Sequence, residues 1–116
     1  MNYIKKIDRP WGMFYVIHDE VNYKLKRIEV NPGQRLSYQY HEKRSESWTI
    51  IEGVGTLTLE GKNIDLIAGE NIKIPIKAKH RITNNGLQKL VFIEVQTGSY
   101  FGEDDIIRIE DDYNRK

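Results

Sequence analysis

The strongest constraint on the fold is a series of short segments in which apolar and polar residues alternate, each ended by glycine, proline or asparagine. Residues 23–30 alternate in this way and stop at Asn31-Pro32-Gly33, and residues 55–60 alternate too, while residues 90–96 read as the last long strand. A period of two is typical of half-buried strands, and Asn, Pro and Gly favour turns. Short strands at this close spacing predict an all-β sandwich or barrel.

The chain has the size of one domain. Its 116 residues are sufficient to bury a hydrophobic core, so we expect a single domain over residues 1–116. Segments with a helical period are missing before the C-terminal tail. In that tail, residues 103–113, three carboxylates in succession (Glu103, Asp104, Asp105) are candidates for the first turn of a short helix, because carboxylates favour helix N-termini.

Composition excludes several classes of function. The chain contains no cysteine, so disulfides and thiolate metal sites are excluded, and any metal is left to His, Gln and carboxylates. Lys and Arg total 18 against 17 Asp and Glu, which argues against nucleic-acid binding. No apolar run approaches the roughly 20 residues of a membrane span, and residues 1–9 lack the apolar centre of a secretory signal. We therefore expect a cytoplasmic protein.

Four polar residues are spaced so that they can meet inside a barrel. Gln39 and His41 are two apart in a predicted strand and point to the same face. Glu46 follows a short charged loop, residues 42–45, and can return to that face on the next strand, while His80 opens a later strand. A narrow interior makes unpaired polar groups costly unless they bind a metal. The spacing therefore predicts a site for one divalent ion, although either histidine alone could be a hydrogen-bonded core residue.

These residues lie in two recognisable motifs. The segments that carry the likeness are Gly33-x5-Gln39-x-His41-x4-Glu46-x6-Gly53 and Gly69-x5-Pro75-x-Lys77-x2-His80-x3-Asn84. They resemble the first and second motifs of the cupins, which implies a double-stranded β-helix, or jelly-roll barrel. Two positions depart from the pattern. Gln39 replaces the first His of many cupins, and Lys77 stands where glycine is usual.

Further segments narrow the likeness: Arg9-Pro10-Trp11-Gly12, Leu36-Ser37-x-Gln39, Arg44-x-Glu46-x-Trp48, Ile93-Glu94-Val95-Gln96-x-Gly98 and Gly102-Glu103-Asp104-Asp105-Ile106-x-Arg108. Together they resemble one subgroup, the type II mannose-6-phosphate isomerase domain. That domain is often the C-terminal part of a bifunctional enzyme that also has a mannose-1-phosphate guanylyltransferase domain. The resemblance implies metal-dependent interconversion of mannose 6-phosphate and fructose 6-phosphate, feeding GDP-mannose and polysaccharide synthesis. It also implies Gln39, His41, Glu46 and His80 as the metal ligands.

The proposed chemistry assigns roles to other charged residues. Oxygen and imidazole ligands suit zinc best, with manganese, iron, cobalt or nickel as alternatives. Moving a proton between C1 and C2 needs a base, a group that stabilises the oxyanion and an anchor for the phosphate. We assign Lys26 and Arg108 as catalytic candidates, and Arg44 and Arg9 as phosphate-binding candidates, because guanidinium matches phosphate. The base is unassigned. Glu46 is not available for this role if it binds the metal, and Glu94 is one substitute.

Two other functions remain open at this stage. The chain could be a non-catalytic sugar- or metal-binding cupin module, or another cupin enzyme such as an oxygenase. Gln39 counts against an oxygenase, because those enzymes more often present three His and a Glu. The expected small-molecule partner is a sugar phosphate. Because small open sheets expose their edges, we also expect a homodimer in which strands around residues 14–17 cross between protomers.

Overall fold

The structure is a computed structural model, and it describes residues 1–115. These residues form turns and eleven strands and contain no helix: β1 (Lys5–Arg9), β2 (Gly12–Asp19), β3 (Lys24–Val30), β4 (Tyr38–Tyr40), β5 (Arg44–Glu52), β6 (Val54–Leu59), β7 (Lys62–Ile67), β8 (Asn71–Ile74), β9 (His80–Thr83), β10 (Leu90–Gly98) and β11 (Ile107–Glu110). The part of the chain that is described therefore offers no helix with the length and hydrophobicity that a membrane span requires.

The strands form two antiparallel sheets that face each other. One sheet has six strands in the order β1-β2-β3-β10-β5-β8, and the other has five in the order β11-β4-β9-β6-β7. Strands distant in sequence are neighbours in both sheets, as in a jelly roll. The all-β architecture predicted from the alternating segments is confirmed, and the strand order agrees with the jelly roll that the resemblance implies.

The space between the sheets has an apolar end and a polar end. Alternate side chains of β3, β5 and β10 point inward, and each strand changes from apolar to polar residues as it reaches the same end of the barrel. Glu94 lies opposite Lys26 on one side and opposite Trp48 on the other. Buried side chains at the apolar end include Ile28, Ile50, Leu57, Ile82 and Phe92, and those at the polar end include Lys26, Glu46, Glu94 and Gln96.

The tail does not form the expected helix. Residues 103–113 contain turns and strand β11, which pairs with β4 so that Arg108 lies opposite Gln39. The carboxylates that suggested a helical first turn are used elsewhere. Glu103 binds Lys26, and Asp105 accepts hydrogen bonds from backbone N–H groups across the barrel. Tertiary partners therefore outweigh the local preference of these residues for a helix N-terminus.

Within the chain, residues 14–17 lie in β2, which is paired on one side with β1 and on the other with β3. The edge strands of this sheet are β1, next to β2, and β8 on the opposite side. A homodimer in which β2 crosses between protomers therefore requires exchange of these pairings, whereas addition along β1 does not. The homodimer stays a prediction.

Lys77, the position where the second cupin motif usually has glycine, has a left-handed backbone with φ of 68°. Its N–H donates to the carbonyl of His41 at 2.8 Å, so the turn holds a candidate metal ligand. Glycine reaches this region without the steric cost that a Cβ brings. The left-handed backbone at this position favours glycine, and the lysine is tolerated there at a steric cost.

We expect Lys77→Gly to stabilise the protein. Relief of about 1–2 kcal/mol of left-handed strain exceeds the extra entropy that glycine loses on folding, which leaves a gain of roughly 0.5–1 kcal/mol. Urea unfolding measures the difference. Lys79→Gly is the matched control, because Lys79 is exposed and is not in the left-handed region. It should lose stability, and a loss at both positions would contradict the strain argument.

Candidate functional site

Three of the predicted ligands meet at the polar end of the barrel. His41 follows β4, Glu46 points inward from β5 and His80 opens β9. Their ligand atoms all lie within 4.8 Å of one another. His41 Nε2 is 3.3 Å from Glu46 Oε2, and His80 Nε2 is 3.8 Å from Glu46 Oε1. All three side chains are buried, and together they form a cluster able to hold a metal ion.

The orientation of the two imidazole rings fits metal binding. His41 Nδ1 lies 2.6 Å from the Asp105 carbonyl oxygen, and His80 Nδ1 lies 2.9 Å from that of Ala78. A carbonyl only accepts, so each Nδ1 carries the proton and each Nε2 presents a lone pair towards Glu46. His80 Nε2 is buried and has no hydrogen-bond partner among the described residues. Metal-binding histidines commonly have this arrangement, with the second nitrogen held by a carbonyl.

Burial also keeps both rings in the form that binds metal. It lowers the pKa of His41 to about 4, and the positive charge of nearby Arg44 acts in the same direction. Burial lowers the pKa of His80 as well. Both imidazoles are therefore neutral near pH 7, with lone pairs available at Nε2.

Gln39 lies beside this cluster. Its backbone pairs with that of His80, and its side chain lines the neighbouring cavity. Ser37 Oγ donates to Gln39 Oε1 at 2.6 Å, which fixes the orientation of the amide. The position is consistent with a fourth ligand, and that role stays a prediction.

A cavity open to solvent adjoins the cluster and gathers the predicted cations. Lys26, Arg9, Arg44 and Arg108 all line it, although they come from four different strands. Its remaining lining residues are Trp11, Phe14, Ile28, Leu36, Gln39, Glu94, Glu103, Ile106 and Arg115. Five basic side chains against two carboxylates make the wall favourable for an anion.

Arg44 is placed differently from the sequence expectation. It is the first residue of β5 rather than part of an exposed loop, and its side chain is buried. Its Nε donates to Glu46 Oε2 at 2.9 Å, and its Nη2 lies 3.3 Å from His41 Nε2. Although burial opposes it, the negative charges of Glu46 and Glu94 hold the pKa of Arg44 above its ordinary value. In the part of the chain that is described, no group accepts a hydrogen bond from the buried Nη1, which leaves a charged donor for a ligand.

Glu94 is the buried carboxyl group of the cavity wall. Trp48 Nε1 donates to both Glu94 Oε1, at 3.1 Å, and Glu46 Oε1, at 3.0 Å. Gln96 Nε2 donates to Glu94 Oε2 at 2.9 Å. Burial, reinforced by the negative charge of Glu46, raises the pKa of Glu94 to about 7. The substitute base considered from sequence is thus inside the cavity, beside Lys26.

Sequence reasoning gave no role in the site to three of its neighbours, Lys24, Glu103 and Asp105. Lys24 points inward like Lys26, and their Nζ atoms lie 3.7 Å and 2.6 Å from Glu103 Oε2. Asp105 reaches the backbone next to His41. Lys24 shares the strand parity of Lys26 and of Ile28, which is buried, but parity alone does not show which face of the strand is buried. The contact of Asp105 depends on folding of the tail and has no local signal.

Comparison with known proteins gives the family. Residues 1–111 match the family Mannose-6-phosphate isomerase C-terminal. The chain is 43% identical over 111 residues to a mannose-1-phosphate guanylyltransferase of Klebsiella pneumoniae, covering 96% of this chain and 24% of that protein. It is 42% identical over 110 residues to the alginate biosynthesis protein AlgA of Pseudomonas aeruginosa, covering 95% and 23%. The chain therefore spans about a quarter of the length of these relatives.

A solved structure gives the same fold. An uncharacterized conserved protein with a double-stranded β-helix domain from Klebsiella pneumoniae superposes with a TM-score of 0.74 at 20% identity, covering 91% of this chain and 85% of that one. Likeness at this level concerns the fold alone. With the match over residues 1–111, the chain belongs to the Mannose-6-phosphate isomerase C-terminal family and has the cupin fold.

Proposed function

We propose that the protein is a metal-dependent isomerase that interconverts mannose 6-phosphate and fructose 6-phosphate. The observation that supports this most is a set of buried polar atoms to which residues 1–115 offer no hydrogen-bond partner. His80 Nε2 belongs to the ligand cluster, and Arg44 Nη1 and Arg108 Nε belong to side chains that line the adjoining cavity. Buried polar atoms are rarely left unpaired. The imidazole nitrogen therefore favours a bound metal ion, and the two arginine nitrogens favour an anionic, oxygen-rich substrate.

The donor set suits one divalent ion, with zinc as the best match. His41, Glu46 and His80 would hold it, with Gln39 as the fourth ligand. When bound, the ion would act as a Lewis acid that polarises a substrate oxygen. Two neutral imidazoles, one carboxylate and one amide leave the ion with a net positive charge, which favours this role.

The cavity residues supply the remaining functions. Arg44 and Arg9 would bind the phosphate, while Lys26 and Arg108 would stabilise negative charge that develops on the sugar oxygens. Glu94 is our candidate for moving the proton between C1 and C2, because its carboxyl group lines the same wall as these cations. The curated relatives include a protein named for alginate biosynthesis, which supports a place in polysaccharide synthesis.

The proposal is tested with a coupled isomerase assay on the purified chain, first stripped of metal and then loaded with zinc, manganese, iron, cobalt or nickel in turn. We expect turnover only in loaded samples, together with exchange of the C2 proton of mannose 6-phosphate with solvent. Absence of turnover with every ion would defeat the proposal.

Two other outcomes separate the rival functions. Binding of mannose 6-phosphate without exchange at C2 would indicate a non-catalytic sugar-binding module. Oxygen consumption by the iron-loaded sample would indicate an oxygenase. We further propose that the protein acts as a homodimer, and a light-scattering mass equal to that of the monomer would refute this.

A further inference from the structure

The tail segment that carries Asp105 contacts both the candidate metal ligand His41 and the backbone that follows it. The carbonyl oxygen of Asp105 accepts from His41 Nδ1 at 2.6 Å. Its carboxylate accepts from the N–H of Glu42 and from the N–H of Lys43, each at 3.0 Å. One residue, more than sixty positions away in sequence, thus determines both the orientation of the imidazole and the path of the chain beside it.

The short connection of residues 42–43 has few other restraints. Ser99 N–H donates to the carbonyl of Lys43 at 3.0 Å. A Cβ on Gly98 would lie 2.2 Å from that same carbonyl oxygen, so the connection packs directly against the backbone at the end of β10. It is therefore enclosed between β10 on one side and Asp105 on the other. Loss of the Asp105 carboxylate leaves only the β10 side.

We infer that Asp105 is a positioning residue for the metal centre: its carboxylate fixes residues 42–43 and thereby keeps its own carbonyl in register with His41 Nδ1. This inference rests on the metal site of the proposed function. It gives a role in that site to a residue that is not itself a metal ligand. His80 does not depend on Asp105, because its Nδ1 is held by the Ala78 carbonyl within the same turn. The two histidines therefore differ in what orients them.

The test compares three variants: Asp105→Ala, Asp105→Asn and Asp104→Ala. Asp104 is the matched control, since it accepts from Tyr100 O–H at 2.5 Å and contacts none of the ligands. Zinc affinity is measured by competition with a chromophoric chelator, and the d–d spectrum of cobalt-loaded protein reports the ligand geometry. We expect Asp105→Ala to lose about tenfold in affinity, in line with residues that orient metal ligands, and to alter the spectrum.

The other two variants separate a specific role of the Asp105 carboxylate from general destabilisation of the tail. Asp105→Asn keeps one acceptor oxygen and should lose less affinity than Asp105→Ala, while Asp104→Ala should bind like the unmodified protein. Equal losses in Asp104→Ala and Asp105→Ala would mean general destabilisation of the tail and would overturn the inference. Unchanged affinity and an unchanged spectrum in Asp105→Ala would also overturn it.

A second readout needs no metal. Nitrogen-15 NMR of the imidazole rings in metal-free protein reports which ring nitrogen carries the proton. In Asp105→Ala we expect the His41 signals to lose the single Nδ1–H tautomer, while those of His80 stay unchanged. If the unmodified protein bound none of the tested ions, the proposed function would fail, while this result would still show that Asp105 orients His41. Unchanged His41 signals would contradict the inference.

Discussion

Replacing His80 with alanine is expected to abolish metal binding while the barrel stays folded. His80 supplies one of the two imidazoles of the cluster, and its Nε2 has no hydrogen-bond partner among residues 1–115. Removing the ring therefore removes a ligand without leaving a protein group that depended on Nε2. The apolar end of the core, around Ile50 and Phe92, is not touched. Metal content by mass spectrometry should fall from one equivalent to background, and isomerase turnover should fall with it.

The control is His18→Ala. His18 is exposed, and its Nδ1 lies 2.9 Å from the hydroxyl of Tyr23, away from the cluster. Because an ion that binds only the folded state raises its stability, added zinc should raise the melting temperature of the unmodified protein and of His18→Ala, but not of His80→Ala. If His80→Ala retained a full equivalent of metal, the ligand assignment would be wrong.

Replacing Arg44 with lysine is expected to lower turnover strongly without loss of the metal. The guanidinium bonds Glu46 through Nε and still has Nη1 free inside the cavity wall. Lysine keeps the charge but has a single nitrogen, so it cannot bond the carboxylate and the substrate from two fixed directions. A hydrogen bond to a charged group contributes about 1.5–3 kcal/mol, so we expect turnover to fall about 10- to 100-fold. Metal content should remain at one equivalent.

Inhibition by inorganic phosphate gives an independent measurement. If Arg44 binds the phosphate group, Arg44→Lys should weaken this inhibition in parallel with turnover. Arg35→Lys is the control, because Arg35 forms two hydrogen bonds with Asp112 at 2.7 and 2.8 Å and does not line the cavity. Wild-type turnover in Arg44→Lys, or an equal loss in Arg35→Lys, would contradict the role given to Arg44.

Local patterns predicted the fold and the ligand cluster because both depend on short sequence spacing. Alternation with a period of two identifies strands wherever one face is buried. The pair Gln39 and His41 and the return to Glu46 need only one hairpin. His80 was within reach because its motif spacing is typical of a known family. The positions of Gln39, His41 and Glu46 thus follow from strand parity and one hairpin, whereas that of His80 follows from the resemblance.

The remaining features depend on contacts that sequence does not show. The alternation in residues 23–30 does not show which face of β3 is buried, because both faces carry apolar residues: Ile28 points inward and Leu25 outward. The burial of Lys26 therefore follows only from the folded structure. Arg44 was expected in a loop because a charged run resembles one, yet its partner Glu46 draws it inside the barrel. The tail was misassigned because its pairing with β4 is long-range and outweighs a local helix signal.

Trp48 connects the two ends of the barrel. Its ring packs on Phe92 with centroids 4.6 Å apart, while its indole N–H is shared between the carboxylates of Glu46 and Glu94. The distance between a candidate metal ligand and a candidate proton carrier is thus set by a ring wedged among hydrocarbon side chains. Phe92 lies away from the cavity, yet its truncation would let the indole tilt. The distance between Glu46 and Glu94 would then change through packing alone.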